Sequence, residues 1–121
     1  MNLNLSLGPG ASPLNVTVVD KGTTYIDLGI EPIPAHLRNG PLIHYIVQYG
    51  LNRGNKESTD KFEVEDETVR MVIRIEGLKP YTEYFYQVAV ENVAGKSDYS
   101  DKKLAVTNQE GNSSTDNYAS I

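Results

Sequence analysis

The residues best suited to chemistry in this chain are few. Its only imidazoles are His36 and His44, eight residues apart, and it has no cysteine. General acid–base or nucleophilic catalysis needs a base within reach of both a nucleophile and an orienting group, and nothing near either histidine forms such a set. Two lone histidines at this spacing, one in the loop between Pro34 and Asn39 and one on a strand pattern, are not a zinc-ligand signature. Without cysteine there are no disulfides, thiolate metal sites or thiol nucleophiles. Ala94-Gly95-Lys96-Ser97 imitates the end of a phosphate-binding loop, but the full pattern needs a glycine where Val90 stands, and no helical pattern follows to receive a phosphate. These four residues read instead as a hairpin turn, with Gly95 supplying a positive φ. Glu63-Val64-Glu65-Asp66-Glu67 gathers four carboxylates in five residues. It lacks the alternating ligands and the glycine of a calcium loop, and reads as a solvated loop or an edge strand guarded by like charge. The chain is therefore expected to be no enzyme and to carry no metal or cofactor. One chemistry remains, modification by glycan: Asn4-Leu5-Ser6, Asn15-Val16-Thr17 and Asn112-Ser113-Ser114 are acceptor tripeptides, with Asn4, Asn15 and Asn112 the candidate attachment sites.

The elements that must position these residues are strands. Apolar residues recur with period two: Ile26, Leu28 and Ile30; Ile43, Tyr45, Val47 and Tyr49; Met71, Ile73 and Ile75; Tyr84, Tyr86, Val88 and Val90. Alternation with β-branched and aromatic enrichment puts one face of each segment in a core. Shorter strand candidates are Leu14–Val19, the stretch around Phe62–Val64, and Leu104–Thr107. Lys21-Gly22, Pro32 to Pro34, Asn39-Gly40-Pro41, Arg53-Gly54-Asn55, Gly77, Pro80 and Gly95 punctuate them. About seven short strands, with turn signals between them and no helical stripe, predict an all-β antiparallel sandwich. Pro13 to Thr107 is assigned as the domain. The Gly-Pro-Gly-containing residues 1–12 and the polar residues 108–121 are assigned as flexible linkers.

With 121 residues the chain has material for one core. Sixteen acidic and 11 basic side chains give a net charge of -5, the wrong sign for tracking phosphates, so no nucleic acid is expected and the balance favours basic protein partners over anionic membrane. No run approaches the roughly 18 apolar residues of a membrane span. Met1-Asn2-Leu3-Asn4 does not open a signal peptide, so an extracellular origin implies a segment cut from a longer chain.

Asn39-Gly40-Pro41-Leu42-Ile43-His44-Tyr45-Ile46-Val47-Gln48-Tyr49 resembles the third strand of a fibronectin type III domain. Gly77-Leu78-Lys79-Pro80-Tyr81-Thr82-Glu83-Tyr84 is similar to that family's Gly-Leu-x-Pro-x-Thr-x-Tyr run, Val88, Val90, Asn92 and Gly95 fit its sixth strand and following loop, and Ser100 fits the start of its last strand. The resemblance implies an immunoglobulin-like sandwich in which strands A, B and E face C, C′, F and G. It also implies a tyrosine corner of Leu78, Pro80 and Tyr84, with Leu78 closing strand E and the Tyr84 hydroxyl returning to backbone at 78–81. Where the family carries a core tryptophan on strand B this chain has Ile30, and it contains no tryptophan. Arg53-Gly54-Asn55 differs from the integrin-binding Arg-Gly-Asp of some relatives by an amide in place of the metal-ligating carboxylate, and it follows strand C; it reads as a turn.

Two functions follow as expectations. One is a monomeric protein-interaction module of a receptor or cell-adhesion ectodomain. Its contact face would be His44, Ile46 and Gln48 of strand C with Phe85 and Gln87 of strand F, all pointing away from the core, or the F–G loop at Ala94, Gly95, Lys96 and Ser97. The other is a spacer between neighbouring domains of a modular extracellular or cytoskeletal protein, without a ligand of its own.

Overall fold

In the computed structural model, residues 7–13 and 15–110 are described. β1 (Val16–Lys21), β2 (Ile26–Ile30) and β5 (Met71–Ile75) form an antiparallel sheet in the order β1-β2-β5. β3 (Leu42–Leu51), β4 (Ser58–Glu63), β6 (Glu83–Asn92) and β7 (Gly95–Lys96) form the second sheet in the order β4-β3-β6-β7, and β8 (Lys103–Val106) also pairs with β6. This is the A-B-E against C-C′-F-G sandwich, with the last strand split into two pieces. A 3-10 turn at Ala35–Leu37 lies between β2 and β3, and no described helix is long and apolar enough to cross a membrane.

The period-two positions meet between the sheets. Ile26, Leu28 and Ile30 of β2, Ile73 and Ile75 of β5, Tyr45 and Val47 of β3, and Tyr84, Val88 and Val90 of β6 are all buried. Each full burial of such a side chain contributes about 1.5–3 kcal/mol relative to exposure. Ile30 is fully buried at the position the family gives to tryptophan, in one core cluster with Tyr45.

Three boundaries differ from the sequence reading. β5 ends at Ile75, so Leu78 does not close a strand: Gly77, at φ 74, turns the chain, and Leu78 is buried in the connection to β6. The last strand is interrupted between Lys96 and Lys103, so Ser100 lies in the gap and does not start a strand. Through the gap, the hydroxyls of Ser97 and Ser100 accept hydrogen bonds from the Val90 and Val88 N–H groups at 3.0 and 2.9 Å, while their own N–H groups donate to the Val90 and Val88 carbonyls. Two serines thus supply the pairing that a regular strand edge would. Finally, residues 7–12 are not free of the sandwich. Asn39 Nδ2 donates to the Gly8 carbonyl at 2.8 Å, Gly10 N–H donates to the Leu37 carbonyl at 2.7 Å, and Pro9 is buried. At the other end Asn108 is tied to the β1–β2 turn, its N–H on the Gly22 carbonyl at 2.9 Å and its Nδ2 on that of Lys21 at 3.0 Å.

Candidate functional site

The outer face of the larger sheet is built by β3 and β6, whose register sets Ile46 beside Ala89, Gln48 beside Gln87 and Gly50 beside Phe85. Ile46 and Phe85 do point away from the inter-sheet core cluster, but they are not exposed: their relative accessibilities are 3% and 7%. The expected apolar spot is therefore corrected to a covered one. Gly50 has no side chain, and a Cβ there would meet the Phe85 ring at 3.1 Å, so the ring lies down over the strand. Lys102 Nζ caps it 4.4 Å from the ring centroid, and Leu104 is its cross-strand neighbour on β8. Ile46 lies between Ala89 and the aliphatic stem of Lys61 on β4.

What β3 and β6 themselves show to solvent on this face is polar, while Leu104 on the adjoining β8 is half exposed. Gln87 Nε2 donates to Gln48 Oε1. His44 Nδ1 lies 2.7 Å from Glu91 Oε1, which also accepts from Lys61 Nζ at 3.1 Å. Burial alone would raise the Glu91 carboxyl, but the Lys61 and His44 contacts together outweigh it and hold the group below the usual carboxylate range. His44 and Lys61 thus share the Glu91 carboxylate on the outer face of the sheet.

The F–G connection is a two-residue hairpin loop. Asn92 pairs with Gly95 and Glu91 with Lys96, leaving Val93 and Ala94 at the tip and Gly95 at φ 156. Asn92 is buried, and its Oδ1 accepts from the Ala94 and Gly95 N–H groups at 2.8 and 3.2 Å. Its Nδ2 faces the carbonyls of Leu7, Arg38 and Asn39, each at 3.0 Å. One amide therefore joins the hairpin, the β2–β3 loop and the incoming chain. Val93, outside the sequence-predicted 94–97 segment, is 85% exposed at this pinned tip. Ala94 and Lys96 are also exposed, with Lys96 Nζ 4.7 Å from the Tyr99 ring centroid. Ser97 is corrected to a buried residue, because its hydroxyl is spent on Val90.

The same end carries the acidic segment. Glu67 is not simply solvated: Oε1 accepts from Leu42 N–H at 3.0 Å, and Oε2 lies 3.4 Å from Arg38 Nη1. Arg38 in turn donates from Nε to the Ile33 carbonyl at 3.0 Å, fixing the β2–β3 loop. Asp66 Oδ1 accepts from the Thr68 hydroxyl and N–H, which lowers its carboxyl pKa. Among the described residues no group of three or more His, Cys, Asp or Glu side chains could hold a metal ion.

At the opposite end, Tyr84 is buried and its hydroxyl accepts from Lys79 N–H at 2.8 Å, in the connection that contains Pro80. Gly54 N–H donates to the Leu51 carbonyl, making Arg53-Gly54-Asn55 part of the β3–β4 turn. Of the three glycan acceptors, Asn15 is exposed just before β1, and Asn4 and Asn112 lie outside the described residues. The Val93 tip and the Asn92 junction were missed by sequence reading. The signal present was an asparagine followed by glycine three residues later at the end of a period-two run.

Comparison with known proteins agrees with this geometry. The model of the fibronectin type III domain matches residues 11–106. Contactin-3 of Mus musculus is 31% identical over 99 residues, spanning 82% of this chain and 9% of the relative. Receptor-type tyrosine-protein phosphatase F of Danio rerio is 36% identical over 80 residues, spanning 66% of this chain and 4% of the relative. The chain thus corresponds to a small part of each of these much longer proteins. Among solved structures, the fibronectin type III domain of human contactin 1 superposes with a TM-score of 0.72 at 22% identity, covering 90% of this chain and 87% of that one.

Proposed function

The chain belongs to the fibronectin type III family, and from that premise we propose that it is a non-enzymatic protein-interaction module from the extracellular part of a receptor or cell-adhesion protein. It engages a protein partner through the hairpin tip at Val93 and Ala94, flanked by Lys96. The observation that carries this reading is the combination of an apolar side chain in open solvent with a loop that cannot relax. A two-residue turn does not require valine, and an exposed single apolar residue is ordinary on its own. Here the tip is held by a buried amide that also bonds two other segments, so binding through it costs little ordering entropy. Correspondence to a small fraction of a receptor-type protein supports a module within a longer chain, with other domains as neighbours. The outer face of β3 and β6 is the weaker surface, since Ile46 and Phe85 are already covered.

The test is to screen the tetramerised domain against an arrayed set of membrane-protein and secreted-protein ectodomains. At least one should bind, and Val93→Asp or replacement of 93–94 by Gly-Ser should weaken it by about tenfold or more, the loss of roughly 1.4 kcal/mol expected of a contact residue at the centre of an interface. If no ectodomain binds, the spacer function stands instead; binding indifferent to the tip would move the contact to another surface, with the outer face of β3 and β6 the next to test.

A further inference from the structure

We propose that Asn15 is an N-glycosylation site whose glycan lies on the outer face of the three-stranded sheet, over Val19, Gly29 and Val72. The inference rests on the extracellular reading, since the modification occurs in the secretory pathway. The acceptor chemistry is complete in the folded protein. Asn15 and Thr17 are both exposed, and they flank the inward-pointing Val16, so the amide and the hydroxyl share the outer face of β1. Only backbone is used for pairing at this point: the Asn15 carbonyl accepts from Glu31 N–H at 3.1 Å. A glycan on the side chain displaces no packed group.

The surface beside it suits a sugar. Thr17 lies across from Gly29, which lies across from Val72 on β5. Because Gly29 has no Cβ, Val19 and Arg70 lie flat across it; a Cβ there would meet Val19 Cγ1 at 2.9 Å and Arg70 Nε at 3.1 Å. The result is a low platform with Val72 50% exposed and Val19 partly exposed. The C–H face of a pyranose can rest on these methyls while its hydroxyls meet the Arg70 guanidinium. Strand β1 is also open on one side: among the described residues it pairs with β2 alone, and its free edge is covered by side chains, Lys103 Nζ on the Val16 carbonyl at 2.9 Å and Asn108 Nδ2 on the Lys21 carbonyl at 3.0 Å. A glycan at the start of that edge would further obstruct strand addition.

The experiment expresses the full chain behind an added leader peptide in mammalian cells and maps occupancy at Asn15 by peptide mass spectrometry after enzymatic deglycosylation in heavy-oxygen water. Most secreted molecules should carry a glycan at Asn15. Asn15→Gln and Thr17→Ala should each abolish that occupancy, and Thr17→Ser should retain it, which separates the sequon from any folding effect. Amide NMR shifts between the glycosylated protein and Asn15→Gln should extend to Gly29 and Val72. Secreted, folded protein with a bare Asn15 overturns the site while leaving the extracellular reading to its own binding test. Occupancy with shifts confined to residues 15–17 overturns the placement over the sheet.

Discussion

The Lys79 N–H donates to the Tyr84 hydroxyl at 2.8 Å, so a side chain at the start of β6 closes the connection that leads into it. The tyrosine ring is buried while its oxygen substitutes for a backbone acceptor that the turn does not provide.

Tyr84→Phe keeps the ring and orphans the Lys79 N–H. The expected loss is about 1–3 kcal/mol, read as a lower urea midpoint with an unchanged slope. A midpoint equal to that of the parent would mean that the hydroxyl adds nothing.

Ser100→Ala probes the gap in the last strand. The hydroxyl accepts from Val88 N–H in the middle of β6, and its removal leaves a buried donor without a partner. Stability should fall by about 1–3 kcal/mol, and hydrogen exchange should accelerate at the Val88 amide more than at the Val47 amide on the neighbouring strand. Equal effects at both amides would point to general loosening.

These two sites show what the sequence could and could not disclose. Period-two alternation made the core legible because burial acts on every second residue, as at Tyr45 and Val47 or Val88 and Val90. It could not separate an outward residue from an exposed one. Phe85 faces outward, yet it is covered by Lys102 and Leu104, which come from the far end of the chain. Nor could spacing show that Ser97 turns in, that Glu67 anchors Leu42, or that Asn92 joins three segments, because each role depends on partners brought close only by the fold. The hairpin itself was legible; its most exposed residue, Val93, lay one position outside the assigned loop.

Acid should remove part of the stability carried by Glu91. Burial acts to raise its carboxyl pKa, but the contacts with Lys61 and His44 outweigh it, and the folded value lies below the unfolded one. The contribution is therefore fully present above the unfolded carboxylate range and is lost as pH falls through the lowered folded value. Glu91→Gln should flatten the acid limb of the stability curve between about pH 5 and the lowered value. An identical acid limb in parent and variant would show that the network contributes no pH dependence.

Phe85→Ser and Val93→Asp should fail in opposite ways. Phe85 is buried beneath Lys102, so its replacement removes packed apolar area and leaves a cavity, at a cost of about 3 kcal/mol or more. Val93 is almost wholly solvated, and an aspartate there should change stability by less than about 0.5 kcal/mol. Thermal unfolding and partner binding measured on the same two variants then separate scaffold from contact. Phe85→Ser should lower the midpoint strongly, while its affinity at a temperature where it remains folded stays near that of the parent. Val93→Asp should keep the midpoint and lose affinity. If instead Phe85→Ser is as stable as the parent and loses binding, the outer face of β3 and β6 is open to a partner and the hairpin is not the contact.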